Sequence, residues 1–214
     1  MQLVEQIGMA PGSKKMLTWE FNHAYEAMES GIYVTWKSEQ MREDQCFRVG
    51  SDSRCFCGHL FKTHDKVIQK NGRVKNNCNS CECKAFQFIP RRPEEVGQHW
   101  LPRRKGFNIN TWGASCVCKH THQEHAPNRP TRCKTCSCAG FNSDFACISC
   151  NQKFEEHETI YETEKERQAD RKTIREDYFP LAANPEHQQA VMNNLGIDSR
   201  TPEQRYLDEM RIDE

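Results

Sequence analysis

"CFCGHLFKTH", Cys55 to His64, places two cysteines and two histidines within ten residues, and "CVCKHTHQEH", Cys116 to His125, does so again. Each is followed by a second cysteine group and an aromatic. The first unit reads Cys55-x-Cys57-x-His59-x4-His64, then Cys78-x2-Cys81-x-Cys83-x2-Phe86. The second reads Cys116-x-Cys118-x-His120-x4-His125, then Cys133-x2-Cys136-x-Cys138-x2-Phe141. Only the connecting loop differs, thirteen residues in the first and seven in the second. Agreement at eight positions implies duplication of a small metal-nucleated unit.

The chemistry follows from the residue types. Zinc takes four tetrahedral ligands from thiolate and imidazole. A Cys-x2-Cys turn puts two sulfurs on one ion. A Cys-x-Cys pair in extended chain points both thiols to one face. The His-x4-His spacing lies within the range of zinc sites. Each unit offers seven ligands, which suits two zincs sharing one bridging thiolate. One zinc with four ligands, the rest supporting it, is the other arrangement. A third, partial group follows, Cys147-x2-Cys150-x6-His157, and needs a fourth ligand from elsewhere, with His122 and Cys46 as candidates. Both stand outside the register and are read as non-ligands, like His23, His99 and His187. Phe86 and Phe141 are expected to pack beside the metal. Two to five zinc ions are expected in all. Iron–sulfur chemistry fits the cysteine count, but the regular histidines favour zinc.

Composition supports metal as the organiser. Only 36% of the 214 residues are apolar and 28% are charged, so a single large apolar core is not expected. No apolar stretch reaches the roughly 20 residues that span a bilayer, and the first residues lack the apolar run of a secretory signal. The expected setting is a reducing, intracellular one. There, clustered cysteines, odd in number at 13, are metal ligands rather than disulfides. From Glu155 onward the chain carries 16 acidic and 8 basic residues, and the remainder holds 22 basic and 14 acidic. Ligating thiolates reduce that positive excess, so nucleic-acid binding does not follow.

Along the chain, five regions are expected. Residues 1–45 form an extended and helical N-terminal segment. Leu17, Phe21, Ala24, Tyr25 and Met28 recur at helical spacing until Gly31, and Ile32 to Trp36 has strand character. Residues 46–89 are zinc unit one. Residues 90–114 are a connector in which Pro90, Pro93 and Pro102 oppose a continuous helix. Residues 115–160 hold unit two and the third group, and 161–214 form a charged helical tail. In that tail "HETIYETEKERQADRKTIRE" is polar nearly all round. Asn184-Pro185 opens a helix that Gly196 closes, and Thr201-Pro202 with Gln204 starts a last one. The fold class is a small irregular metal-stabilised α+β module with two internal repeats, a helical N-terminal segment and a helical C-terminal tail.

The expected function is not catalytic. Catalytic zinc keeps an open position, and neither unit carries a His-Glu-x-x-His or deaminase pattern. Nucleic-acid zinc fingers place Cys-x2-Cys before the histidines, the reverse of this order. Eight cross-braced ligands of a ubiquitin-ligase ring cannot be laid over these positions. In the connector, Arg91, Arg92, Arg103, Arg104 and Lys105 flank Trp100, Phe107 and Trp112. This is either a cationic, aromatic surface for an acidic partner or an ordered strap whose tryptophans pack on the zinc units.

The words "CFRVGSDSRCFCGH", "FIPRRPEEVGQHWLPRRKGF", "CVCKHTHQEH" and "CISC…FEEHET" resemble an uncharacterised eukaryotic family, "family with sequence similarity 221", with A-type and B-type members. The resemblance covers about Tyr33 to Thr163 and extends toward Pro180. It implies no catalytic activity. It implies a protein of cilia and sperm flagella associated with microtubules, the lumen included, with tubulin and axonemal proteins as partners and cytoplasm and cytoskeleton as its place. The expected ligands are Cys55, Cys57, His59, His64, Cys78, Cys81, Cys83, Cys116, Cys118, His120, His125, Cys133, Cys136, Cys138, Cys147, Cys150 and His157. The weaker expected partner surface is Arg91, Arg92, Trp100, Arg103, Arg104 and Lys105. A zinc-stabilised scaffold is the leading expectation, without nucleic acid, membrane or small-molecule substrate. A cytosolic adaptor, for instance in ubiquitin signalling, and a metal- or redox-dependent enzyme or sensor are the alternatives.

Overall fold

The computed structural model describes residues 13–40, 44–68 and 74–196. Helix α1, Ser13–Ser30, buries Phe21 and Ala24 of the side that its apolar spacing marks, and it also buries Trp19, His23 and Ala27, which lie off that side. Gly31, at φ 64°, ends it in the left-handed conformation that glycine adopts without penalty. The chain then forms β1, Ile32–Ser38, and the two-residue β2, Phe47–Arg48. Strands β3, His64–Ile68, and β4, Val74–Cys78, follow, and β5, His157–Thr163, comes much later. Short helices α2, Glu164–Ala169, and α3, Pro185–Leu195, close the described chain.

Among the described residues two small antiparallel sheets result. In the first, β1 lies between β2 and β5, and its full length pairs with β5 from Ile32↔Thr163 to Ser38↔His157. In the second, β3 and β4 form a hairpin whose end pair is His64↔Cys78, two expected ligands. The rest is loops and 3₁₀ turns, an α+β protein with few helices.

The interior is built jointly from aromatics and cysteines. Trp36, Phe47, Phe88 and Phe154 sit in one cluster with Cys55, Cys78, Cys83, Cys116 and Cys147. The Trp36 ring stacks on His157 with centroids 3.8 Å apart and planes 9° from parallel. A smaller cluster joins Ala24, Ala27, Tyr33 and Tyr178.

The stretch that reads as charged helix behaves differently. Residues 157–163 are β5, the long partner of β1, because Thr159, Ile160 and Tyr161 supply β-branched and aromatic side chains there. Thr163 and Glu166 then form a reciprocal capping box that starts α2. Arg167, fully buried, explains why the stretch looks polar and yet folds back. Its guanidinium pairs with Glu162 at 2.7 Å and with Asp44, donates to the Thr173 carbonyl at 2.9 Å, and lies over Tyr33 and Tyr178. Asn184-Pro185 and Gly196, at φ 66°, bound α3 as expected. The expected helix at Thr201 lies outside the described residues. No helix among them is long and apolar enough to cross a membrane.

Candidate metal centre

One local backbone device occurs three times. After Cys57, Cys118 and Cys150 the next residue adopts positive φ: Gly58 at 89°, Lys119 at 69° and Asn151 at 59°. The same three residues donate N–H groups to the carbonyls of Cys55, Cys116 and Cys147, each at 2.8 Å. A 3₁₀ turn follows each time, Phe61–Thr63, His122–Glu124 and Phe154–Glu156, and ends at His64, His125 or His157.

That turn sets the chemistry of the histidine. Nδ1 of His64 lies 2.8 Å from the Leu60 carbonyl, that of His125 2.9 Å from Thr121, and that of His157 2.7 Å from Lys153. A carbonyl only accepts, so Nδ1 carries a proton and Nε2 is the nitrogen left to meet a ligand partner. Nε2 faces a sulfur in each case: Cys57 at 3.6 Å, Cys118 at 3.7 Å and Cys150 at 3.2 Å. Backbone orientation of an imidazole in this tautomer is the supporting shell of metal-ligating histidines.

Around these anchors the side chains of the described residues gather into five groups of four, with the ligand atoms of each within 4.8 Å of one another. Cys55, Cys57, His64 and Cys83 form the first, and Cys57, His59, Cys78 and Cys81 the second, so Cys57 belongs to both. Cys116, Cys118, His125 and Cys138, then Cys118, His120, Cys133 and Cys136, repeat this with Cys118 shared. The fifth joins Cys147, Cys150 and His157 to Cys46. All 17 residues singled out from sequence fall in these groups, and all 13 cysteines are used.

The surroundings of the two paired groups also correspond. Backbone N–H groups of Gln87 and Asn142 point at Cys55 and Cys116 sulfurs, each at 3.3 Å. Those of Ser80 and Thr135 approach Cys78 and Cys133 at 3.4 and 3.5 Å. Such donors favour thiolate. Phe86 and Phe141 meet His64 and His125 edge-on, each at 5.3 Å between centroids.

Cys46, expected to stand outside, is the fourth member of the fifth group. Its N–H bonds to the Trp36 carbonyl at 3.0 Å, and the hydroxyl of Ser149 donates to its own carbonyl at 3.1 Å. The sheet thus carries it to Cys147. His122 does remain outside. It fills the position of Phe61 and Phe154, is fully buried, and its ring packs against Phe56. Burial pushes its imidazole down to about 4, so it is neutral. His23 is also structural: its Nδ1 meets the Arg48 carbonyl and its Nε2 meets Asp52 at 2.6 Å. In the third device Gln152 stands where His59 and His120 stand, and no Cys-x2-Cys-x-Cys follows. That segment therefore offers one group of four instead of two.

The crowded sulfurs conflict electrostatically. Contacts with Cys55 and Cys83 hold the Cys57 thiol far above its ordinary value, while Cys55 and Cys57 hold Cys83 far below. Cys46 draws Cys147 down to about 4 and is itself pushed up. One thiol ionises at its neighbours' expense, and a dication among them removes the conflict. Two kinds of soft ligand at such distances suit zinc-type coordination.

The connector places its residues unevenly. Arg92 lies over the Trp19 ring, and Glu95 is fully buried, accepting the Arg91 N–H at 2.6 Å. Arg103, Arg104 and Lys105 are exposed, as is Trp100 at 60%. Trp100 is thus no packing strap for the Cys/His units.

Residues 13–199 match the family described as Protein FAM221A/B, a wider span than the words quoted above. The chain is 44% identical to Protein FAM221B of Homo sapiens over 155 residues, 72% of this chain and 38% of that protein. It is 44% identical to the Rattus norvegicus FAM221B over 152 residues, 70% of this chain and 29% of the relative. With the Homo sapiens Protein FAM221A, identity is 30% over 162 residues, 73% of this chain and 47% of the relative. The chain therefore spans between about a third and a half of these relatives. No solved structure matches it. With these matches the chain belongs to the FAM221 family.

Proposed function

We propose that this protein is a non-enzymatic scaffold whose fold depends on five zinc ions, in two binuclear clusters bridged by Cys57 and Cys118 and one mononuclear site closed by Cys46. The two clusters are a duplicated unit, and the third device is its half copy. The observation that carries this reading is the closure of the groups: each supplies four cysteine or histidine donors, with His64, His125 and His157 oriented by backbone carbonyls. Four protein ligands leave zinc no open position, the mark of structural sites, whose binding energy is folding energy. The aromatics packed between the groups give the metal sites a role in joining the segments rather than in reacting with a substrate.

The proposed setting, an axonemal microtubule in the cytoskeleton, rests on the family resemblance. Partners there are tubulin and other axonemal proteins. Fractionation of isolated cilia tests it. A scaffold stays with the detergent-insoluble axoneme and leaves only in high salt. A protein released by detergent alone together with one discrete partner is an adaptor, and the axonemal reading then fails.

A further inference from the structure

A cleft lies where the three devices meet. It encloses about 540 Å³, and Phe56, Phe88, Ile89, Phe141 and Phe154 line it. That size suits the insertion of one aromatic side chain with its neighbours. A second, polar cleft of about 340 Å³ adjoins it, sharing Arg129 and Glu155, and is lined also by Ser38, Glu39, Glu156 and Glu158. Glu39, Glu156 and Glu158 are exposed. Glu155 accepts from the N–H and hydroxyl of Ser143. Arg129, and Lys37 opposite Glu158 in the β1–β5 register, offset part of this charge, which stays negative. Ser38 is 1% exposed, and its buried hydroxyl has no hydrogen-bond partner, a group that awaits one.

The complement of this surface is on the same chain. Trp100 is 60% exposed, and Arg103, Arg104 and Lys105 beside it are exposed too. No residue of this segment lines either cleft. Large exposed aromatics next to cations mark interaction sites.

We propose that the Trp100–Lys105 segment of one copy docks in the aromatic, acid-rimmed cleft of a second copy, so that the protein assembles head to tail. The tryptophan enters the cleft against the edge-on pair Phe56 and Phe141, whose centroids lie 5.1 Å apart, and the three cations meet Glu39, Glu156 and Glu158. Two different surfaces make this contact heterologous. A dimer keeps one free segment on one copy and one free cleft on the other, so the assembly extends as a filament or closes as a ring.

The test is sedimentation velocity of the zinc-loaded full chain from 1 to 200 µM, in low and high salt. The wild type is expected to rise above the 25.0 kDa monomer with concentration and to fall back in salt. Trp100→Ala, at an exposed site, is expected to weaken association about tenfold or more. Arg103→Glu/Arg104→Glu/Lys105→Glu and, separately, Glu39→Lys/Glu158→Lys are each expected to be monomeric with full zinc content. Mixed with each other, they are expected to assemble again, because both interfaces regain opposite charge. A wild type that stays monomeric at 200 µM overturns the proposal and leaves the cleft to a basic segment of another protein. Assembly that survives Trp100→Ala and both charge reversals overturns it equally.

Discussion

Cys57 is the most informative single position. It belongs to two groups of four, whereas Cys78 belongs to one. A serine hydroxyl does not ionise in the range where thiols do, so Cys57→Ser deprives two ions of a ligand together. Metal binding at a structural zinc site contributes about 10–16 kcal/mol in small zinc peptides. A whole domain is stable by only about 5–15 kcal/mol. Loss of one ion from unit one is therefore comparable with the entire stability of the fold, and loss of two undoes that unit. The groups around Cys118 and Cys147 share no ligand with it. The expected zinc counts are five for wild type, four for Cys78→Ser, three for Cys57→Ser and three for Cys118→Ser. Native mass spectrometry reads the count directly, and thermal melting reads the stability. A Cys57→Ser protein that keeps four or five ions refutes the shared thiolate, since no other side chain stands in both groups.

Further expectations test the frame around the metals. Burial pushes the Glu95 carboxyl up to about 8 from an ordinary 4.5. Its folded value is raised, so it costs nothing below about pH 4.5 and weakens the fold progressively as pH rises from there to about 8. Glu95→Gln is expected to gain stability over wild type in that window, growing with pH; denaturant melts at pH 5 and pH 8 with equal offsets would contradict this. Arg167→Ala leaves Glu162 and Asp44 facing no guanidinium and is expected to cost about 3–5 kcal/mol, read by urea unfolding. Gly50→Ala puts a methyl 2.1 Å from the His23 ring; about 1–3 kcal/mol of destabilisation is expected, and an unchanged melt would show that the ring does not sit there.

The members of the Cys/His groups were legible in the sequence because metal coordination demands residue types and short spacings, and both are local. The helix at Ser13–Ser30 and the strand from Ile32 were legible for the same reason: their periodicities are local. The grouping was not. Whether Cys57 serves one ion or two is decided by how the β3–β4 hairpin brings Cys78 to His64. Cys46 was named with His122 as a candidate fourth ligand but read as a non-ligand, because the contact that closes the group spans 103 residues, from Cys46 to Ser149. A signal for it existed. Twelve cysteines fall in register, the third device repeats the Cys-x6-His of the other two, and one cysteine remains to fill its vacant fourth place. The tail was misread because Arg167 is polar and buried at once, and periodicity alone cannot place a charge that the fold itself pairs.

The most direct test of the account is the metal content of the purified full-length protein under native conditions. Five zinc ions per 25.0 kDa chain is the expected result. A folded chain with no bound zinc would contradict it and return the cysteines to thiol chemistry.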